Sequence, residues 1–206
     1  MTNAWNVASP AKWCETRLAA VDTGLRRAWG GAVNTPEIRE LAAILGMAAQ
    51  AACSAPEGRP LFAGHASLAW PDEPHLRLWL AQTLLREFRG DGHIAALVCE
   101  GLSGLEALVT HAGSGDVTAK VLASSRAWPQ AEWDAAVASL ASRGIVDGEG
   151  NLTEAGRAQR QRVEDRTDEL STVAYAAIGA DGCDRARELA RPLSKAIVDS
   201  GMLGFR

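Results

Sequence analysis

Apolar residues recur every three or four positions along most of this chain, which is the spacing of amphipathic helices. Ser9 followed by Pro10 has the form of a helix N-terminus, and the periodic run after it stops at Gly30. A second run opens at Thr35 and Pro36 and ends near residue 53. No alternating run of β-branched residues interrupts this part of the chain, so the pattern predicts helices only.

The middle of the chain is predicted to hold a loop and then further helices. Residues 54–72 contain several prolines and glycines without periodicity, which predicts a long surface loop. The run after Pro74 predicts a helix of about four turns with Gly90 as its C-cap. Asp91 is the predicted N-cap of a shorter helix through Glu100, and another helix begins near Ser103.

The second half follows the order of a winged helix-turn-helix. A short helix near residues 117–124 precedes the turn SSRAWPQ and the helix AEWDAAVASLASRG, and the tight turn GEGN and the helix TEAGRAQRQRVEDRTDEL follow. We therefore predict a mainly α fold, in which a helical domain over residues 1–112 is fused to a degenerate winged helix-turn-helix over 113–170 with a very short β-wing. Residues 171–206 are predicted to form a C-terminal helix that packs back on the chain or dimerises.

Composition fits a folded protein without a basic surface. Hydrophobic residues make up 47% and charged residues 22% of the 206, and the formal net charge is −4. No overall positive field therefore attracts nucleic acid or anionic lipid. The N-terminus lacks a basic region followed by an apolar run, and no stretch approaches the length of a membrane span. We expect a cytoplasmic protein without membrane contact.

Common metal and nucleophile motifs do not occur in the sequence. The four cysteines are far apart and form no C-x-x-C pair, so reduced structural thiols are expected. His65 and His111 are further candidate polar groups, but no H-x-x-x-H or H-E-x-x-H spacing occurs, nor a glycine-rich phosphate loop or a G-x-S-x-G run. We expect neither a metal site nor a cofactor.

The predicted second helix of the helix-turn-helix is poor in DNA-binding residues. Bases are read by Arg, Lys, Asn or Gln in its first turns, and cations around it bind phosphates. This sequence instead has Gln130, Ala131, Glu132 and Asp134 there, and the wing tip at residues 147–150 is Asp-Gly-Glu-Gly. Because carboxylates repel phosphates, we predict no specific DNA binding, although DNA binding is the most common use of this architecture.

A polar stripe on the long central helix is the predicted small-molecule site. The leucines of this helix point in nearly all directions, so protein is expected to surround it. Spacings of four, three and four nevertheless separate His75, Trp79, Gln82 and Arg86, which places these residues on one face of the helix. Polar groups on a buried helix face partners, water or a ligand. The predicted ligand-binding residues are His75, Trp79, Gln82, Arg86, Arg89 and Trp70.

Residues at the end of this stripe indicate proton transfer. His93 is the predicted general acid or base, with Asp91 or Glu87 to orient it, and Arg86 and Arg89 would bind an anion. Each residue also has a structural alternative. Asp91 can cap a helix, and the arginines can pair with neighbouring carboxylates or with a helix C-terminus.

Two runs of the sequence carry a resemblance to known families. LASRGIVDGEGNLTEAGRAQ resembles the L-x-x-R-G-L-V … L-T-x-x-G run of MarR-like winged-helix proteins, and WPDEPHLRLWLAQTLLREFRGDGHIAALVCEGLSGLEALVTHAG resembles the signature stretch of the SalK-like family of actinobacterial winged-helix-like proteins. The resemblance implies a helical domain joined to a degenerate winged helix, and genes that often lie near natural-product clusters.

Two departures from the SalK-like pattern bear on function. Members of that family carry histidine at the positions of Leu80 and Phe88, so chemistry that depends on those histidines is not expected here. Members also begin with a further helical segment rich in Tyr, Phe and Gly, which this sequence lacks. The difference implies either a more open cavity or a partner chain that supplies the segment.

Together the patterns predict a protein that binds a small molecule on a winged-helix scaffold that has lost DNA binding. Beyond binding, they predict a cofactor-independent acid/base enzyme of natural-product biosynthesis, of the cyclase, isomerase or lyase type. The alternative is a MarR-like regulator that binds DNA in response to a ligand. A third possibility is a non-catalytic subunit, and a homodimer or a complex with the chain that supplies the missing segment is the expected assembly.

Overall fold

The computed structural model describes residues 4–202, with the backbone alone at 124 and 125. Within these residues the chain is mainly helical, as the sequence pattern predicts. The α-helices are α1 (Pro10–Trp29), α2 (Pro36–Ala52), α3 (Pro60–Ala66), α4 (Pro74–Cys99), α5 (Gly104–Gly113), α6 (Ala119–Ser125), α7 (Gln130–Ser142), α8 (Glu154–Ala176) and α9 (Gly179–Asp199). Short 3-10 helices at Ala4–Asn6 and Gly30–Asn34 flank α1.

The chain divides into two compact units. Unit 1 is Met1–Phe88 with Thr172–Arg206, and unit 2 is Arg89–Ser171. The boundaries fall inside α4 and α8. The predicted ranges 1–112, 113–170 and 171–206 divide the chain by expected role, and that division stays a prediction.

Helices begin in unit 1 where the sequence signals place them. Ser9 is the N-cap of α1, where its hydroxyl accepts a hydrogen bond from the amide of Lys12, and Pro10 follows it. α2 begins at Pro36, directly after Thr35. A proline fits the first helical turn because the N–H that it lacks would have no partner there.

Two apolar clusters form the interior of unit 1. One joins α2, α4 and α9, and the other joins α2, α3, α4 and the end of α8. Their largest buried side chains are Ile38, Leu41 and Leu78 in the first cluster and Phe62, Leu80, Leu84 and Phe88 in the second. α1 contributes no buried residue, and its partly buried Trp29 packs against the first cluster.

The predicted loop over residues 54–72 is wrong in part, because it contains the short helix α3. Phe62 on this helix is fully buried and packs edge-to-face on Phe88, with 5.0 Å between the ring centroids. A seven-residue helix is too short to show a period in the sequence. The burial of one aromatic ring anchors it instead.

The predicted break at Gly90 and Asp91 is also wrong, because α4 runs unbroken from Pro74 to Cys99. Gly90 lies inside the helix without the positive φ of a C-cap glycine, and Asp91 is buried in the helix and does not cap it. Buried residues on both sides, including Phe88 and Ala96, hold the helix together through the glycine. In residues 4–202 no single helix is long and apolar enough to cross a membrane, whereas α4 and α5 pass that test as a bent pair.

Unit 2 has the predicted order of a helix-turn-helix. A capping box between Ser103 and Glu106 opens α5, and α6 and α7 follow with a turn between them. The described residues contain no β-strand after α7, only an isolated antiparallel bridge between Val146 and Leu152. The winged helix and its wing therefore stay predictions. The core side chains of unit 2 are Leu102, Leu105, Val109, Leu122, Trp133, Leu140, Val146, Leu152 and Val163.

The run Leu152-Thr153-x-x-Gly156 has a steric basis in unit 2. A Cβ added at Gly156 would overlap the carbonyl oxygen of Ile145, so only glycine fits where α8 starts beside this turn. The hydroxyl of Thr153 accepts a hydrogen bond from the Gly156 amide at 3.1 Å and donates one to the Gly144 carbonyl at 2.6 Å. Thr153 thus caps the start of α8.

Candidate functional site

A cleft of about 180 Å³ opens in unit 1 between α1, α4 and the segment before α4. Its wall is mostly apolar, and its charged groups come from α1. The lining residues are Cys14, Glu15, Arg17, Leu18, Leu68, Ala69, Pro71, Trp79 and Leu80. A space of this size suits a molecule of one or two fused rings, because an apolar cavity of about 150 Å³ binds benzene.

Helical spacing explains why α1 presents its part of the cleft as one surface. Arg17 and Leu18 follow Cys14 by three and four positions, which places all three residues on the same face of the helix. On the facing wall, Leu80 is buried and Trp79 is partly exposed. The cleft therefore has an aliphatic floor and an aromatic side.

The guanidinium group of Arg17 lies against the aromatic side of the cleft. Its central carbon is 4.8 Å from the ring centroid of Trp79, which is a cation–π distance. Its Nη1 is 2.9 Å from Nε2 of His65. No carboxylate in the described part of the chain forms an ion pair with Arg17, so its positive charge lies on the cleft wall without a counter-ion.

Hydrogen bonds define the tautomer of His65. Its Nδ1 is 2.9 Å from the carbonyl oxygen of Leu61, which can only accept, so Nδ1 carries the proton. Nε2 then offers a lone pair to the Arg17 guanidinium, and the imidazole is neutral. A neutral partner positions the guanidinium without cancelling its charge.

Two polar contacts hold α1 in place beside the cleft. Nε2 of His75 is 2.5 Å from Oδ1 of Asp22, and the indole nitrogen of Trp29 donates to the Leu193 carbonyl at 3.2 Å. The hydrogen bond from His75, with a second from Arg26, holds the pKa of Asp22 below its ordinary value. His75 is thus engaged in the interior of unit 1.

A polar cluster in unit 2 surrounds His93. Its Nδ1 is 3.0 Å from the hydroxyl of Thr167, and that hydroxyl donates to the Val163 carbonyl at 2.7 Å. The hydroxyl must therefore accept from Nδ1–H, which leaves the lone pair of the neutral imidazole on Nε2. Burial lowers the pKa of His93, Arg89 and Arg160 lower it further, and Glu164 opposes the shift.

The predicted site residues divide between the two units. Arg89, Asp91 and His93 lie in unit 2, and the remaining six lie in unit 1. Of these six, Trp79 lines the cleft, and Trp70 packs under the guanidinium of Arg77 at 5.0 Å.

The side chains predicted to orient His93 and to bind an anion have other contacts. Glu87 is buried and forms an ion pair with Arg86, and Arg86 itself is exposed. Arg89 forms ion pairs with Glu164 at 3.1 Å and with Asp168 at 3.3 Å. Gln82 is exposed. The contact that orients His93 comes from Thr167 on α8.

Sequence reasoning missed Arg17, Leu18 and Thr167, and it raised His65 only as one of two further histidines. The spacing on α1 could have shown that Arg17 and Leu18 share a face, but nothing in the sequence places Trp79 opposite them. Within residues 4–202, no group of three or more His, Cys, Asp or Glu could hold a metal ion, and the four cysteines are free thiols.

The exposed face of α7 is acidic. Glu132 and Asp134 are exposed, and the side-chain amide of Gln130 donates to Asp134 at 2.8 Å. At the turn after α7, hydrogen bonds from Asn151 and from backbone amides hold the pKa of Asp147 below its ordinary value. Arg143, which follows α7, forms an ion pair with Glu106 at 2.8 Å. The helix that would enter a DNA groove therefore presents carboxylates.

Comparison with known proteins gives one finding. A family model described as a helix-turn-helix family matches residues 1–204. Neither the search of curated proteins nor that of solved structures gives a match.

Proposed function

We propose that this chain, which belongs to the helix-turn-helix family, is a small-molecule-binding protein on that scaffold. The unit 1 cleft beside Arg17 and Trp79 is the binding site. The observation that carries this proposal is the combination of an apolar wall with a positioned polar group, which is the usual make-up of a small-molecule site.

The charge of unit 2 supports a scaffold that does not read bases. Residues 89–171 contain thirteen Asp and Glu against eight Lys and Arg, and two of the carboxylates, Glu132 and Asp134, lie on the exposed face of α7. Each carboxylate near a phosphate adds repulsion where a DNA-binding protein gains counterion release. The MarR-like regulator is therefore the alternative that this surface disfavours.

Binding of a neutral bicyclic molecule tests the proposal. Two-dimensional NMR of the uniformly ¹⁵N-labelled protein with 2-naphthamide would follow the indole N–H of Trp79 and the amides of Leu18 and Ala69. We expect saturable shifts at these positions with a Kd of about 0.1–1 mM, given the affinity that such a small ligand reaches per atom.

Filling the cleft provides the matched control. Ala69→Trp places a bulky side chain in the cleft and should abolish the shifts, whereas Ala20→Trp, at an exposed position of α1 outside the lining, should leave them unchanged. Absence of saturable binding, or binding that persists in Ala69→Trp, would contradict the proposed site.

A DNA-binding measurement distinguishes the proposed function from the alternative of a MarR-like regulator. Fluorescence anisotropy of a random labelled duplex at low salt detects non-specific electrostatic binding where it is strongest. We expect no binding at micromolar protein. Micromolar binding that weakens steeply with added salt would favour the ligand-responsive regulator.

A catalytic role for His93 is a second candidate function. The observation that favours it is a neutral imidazole with a held Nδ1–H and a lone pair on Nε2, which is the form required of a general base. The predicted reaction class, a cofactor-independent cyclisation, isomerisation or elimination in natural-product biosynthesis, and the SalK-like resemblance stay proposals. So does the expected homodimer or the complex with a chain that supplies the family's N-terminal segment.

A further inference from the structure

We infer that the unit 1 cleft selects ligands that carry an acidic group, with a carboxylate bound by Arg17 and a flat apolar body placed against Trp79. The inference rests on the proposed function, because it concerns the chemistry of the molecule that the same cleft would hold. It adds a charge preference to a site defined so far by its shape.

In the described part of the chain Arg17 has no anionic partner, unlike Lys12 and Arg26 on the same helix. Lys12 pairs with Glu15 at 3.0 Å, and Arg26 pairs with Asp22 at 2.9 Å. The contacts recorded for Arg17 in the described part of the chain are with a neutral imidazole and an indole face. Among the described residues that line the cleft, Arg17 is the one cation, so its charge is the one that an anionic ligand would neutralise.

The geometry leaves Arg17 able to bind a carboxylate with two hydrogen bonds. A guanidinium group has five N–H donors in a planar fork, and the contact with His65 uses one nitrogen. Stacking on Trp79 and the hydrogen bond to His65 together restrict the side chain before any ligand arrives. Less conformational entropy is then lost when an anion binds.

One carboxylate among the lining residues acts against an anionic ligand, and its charge is already compensated. Glu15 lines the cleft, but its Oε2 is 3.0 Å from Nζ of Lys12. The net charge of the three α1 side chains Lys12, Glu15 and Arg17 is therefore positive. Among the described residues that line the cleft, Glu15 and Arg17 are the acidic and basic side chains.

A pair of isosteric ligands tests the charge preference directly. 2-Naphthoate and 2-naphthamide have the same ring system and differ in whether the substituent is charged. Isothermal titration calorimetry at neutral pH and low salt should give a Kd for the naphthoate about tenfold lower than for the naphthamide, as expected for a partly exposed bidentate pair with Arg. Added salt should weaken the binding of naphthoate and leave the binding of naphthamide unchanged.

Variants identify the source of the preference. Arg17→Gln should bring the two Kd values to within about twofold, because it weakens the binding of naphthoate far more than the binding of naphthamide. Arg27→Gln removes an exposed arginine of the same helix that does not line the cleft, and it should keep the full preference. His65→Leu should reduce the preference without abolishing naphthamide binding, because Arg17 loses the contact that positions it.

The outcomes separate the two proposals. Equal affinity for both ligands in the wild type would overturn the charge selection and leave the binding site intact. Loss of naphthamide binding in Arg17→Gln would also overturn it, because Arg17 would then shape the cleft and not select a charge. If neither ligand binds to the wild-type protein, the proposed function fails and this inference fails with it.

Discussion

Oδ1 of Asp22 lies 2.5 Å from Nε2 of His75, and this contact joins α1 to the buried start of α4. His75 is 1% exposed, whereas α1 contributes no buried residue to the core of unit 1. A helix whose apolar side chains are only partly buried gains less from the hydrophobic effect than a core helix does. The Asp22–His75 pair is therefore one of the contacts that position α1, and with it Arg17, beside the partly buried Trp29 that packs on the core.

Loss of the Asp22 charge should destabilise the protein near neutral pH. The hydrogen bond from His75, followed by that from Arg26, lowers the pKa of Asp22 below its ordinary value of 3.8. A carboxyl group with a depressed pKa stabilises the folded state above pH 3.8, and this stabilisation is lost as the pH falls through the folded-state pKa. Asp22→Asn should thus unfold at lower urea than the wild type near neutral pH, and the difference should shrink in strong acid.

Urea titrations followed by circular dichroism over a range of pH check this expectation. Glu15→Gln is the matched control, because it removes another carboxylate of α1 whose ion pair is exposed and should contribute little. His75→Ala should cost about 2–4 kcal/mol, since it empties a buried position and removes the hydrogen bond to Asp22. Equal midpoints for Asp22→Asn and the wild type would show that the pair does not anchor α1.

Gly90 allows a direct test of the unbroken α4. Nothing lies within 4 Å of a Cβ added there, and its φ is not in the left-handed region. Because glycine inside a helix costs about 1 kcal/mol relative to alanine, Gly90→Ala should stabilise the protein by roughly that amount. Thermal unfolding measures the change, and a lower melting temperature would indicate that α4 breaks at this glycine.

Gly156 provides the opposite case for comparison. An alanine at this position would overlap the Ile145 carbonyl, so Gly156→Ala should lower the melting temperature strongly.

Local sequence signals predict the ends of several helices, whereas the burial of neighbouring side chains determines the others. Ser9 and Ser103 act as the caps that their sequence context indicates. Gly90 has an equally good local signal, yet the predicted helix end there is wrong. Glycine occurs both as a C-cap and as a tolerated interior residue of a helix. The buried side chains on either side, which local sequence does not weigh, favour the continuous helix.

The candidate site was less predictable than the fold because its contacts are long-range. Spacing placed Trp79 on one face of α4, but it could not show that Arg17 lies against that ring. His65 and Arg17 are 48 positions apart, and His93 and Thr167 are 74 positions apart. Only the packing of one helix on another brings such pairs together, so a polar stripe on a single helix identifies candidates without their partners.

Phe62 and Leu61 form a matched pair that tests the anchoring of α3. Phe62 is fully buried against Phe88, whereas Leu61, its neighbour in the chain, is 52% exposed. Phe62→Ala should cost about 3–5 kcal/mol because it leaves a cavity in the core. Leu61→Ala should change the free energy of unfolding by less than about 0.5 kcal/mol. Similar costs for the two variants would contradict the assignment of Phe62 to the core.

The protonation of His93 can be measured without a substrate. Burial, with Arg89 and Arg160, lowers its pKa below the ordinary value of 6.5, so the folded state binds fewer protons at this site than the unfolded chain. Because the histidine pKa is lower in the folded state, the contribution of His93 to the stability is complete above pH 6.5. This contribution is lost as the pH falls toward the folded-state pKa. NMR titration of the His93 ring should show the low pKa and a proton on Nδ1.

Variants on α8 separate the causes of this shift. Glu164→Gln should lower the His93 pKa further, because Glu164 is the one charge that raises it. Glu169→Gln, on the same helix but not among the groups that shift His93, should leave the pKa unchanged. Thr167→Val removes the acceptor of Nδ1–H and should move part of the proton population of the neutral ring to Nε2. A wild-type ring that titrates at or above 6.5, or that keeps its proton on Nε2, would remove the basis for His93 as a general base.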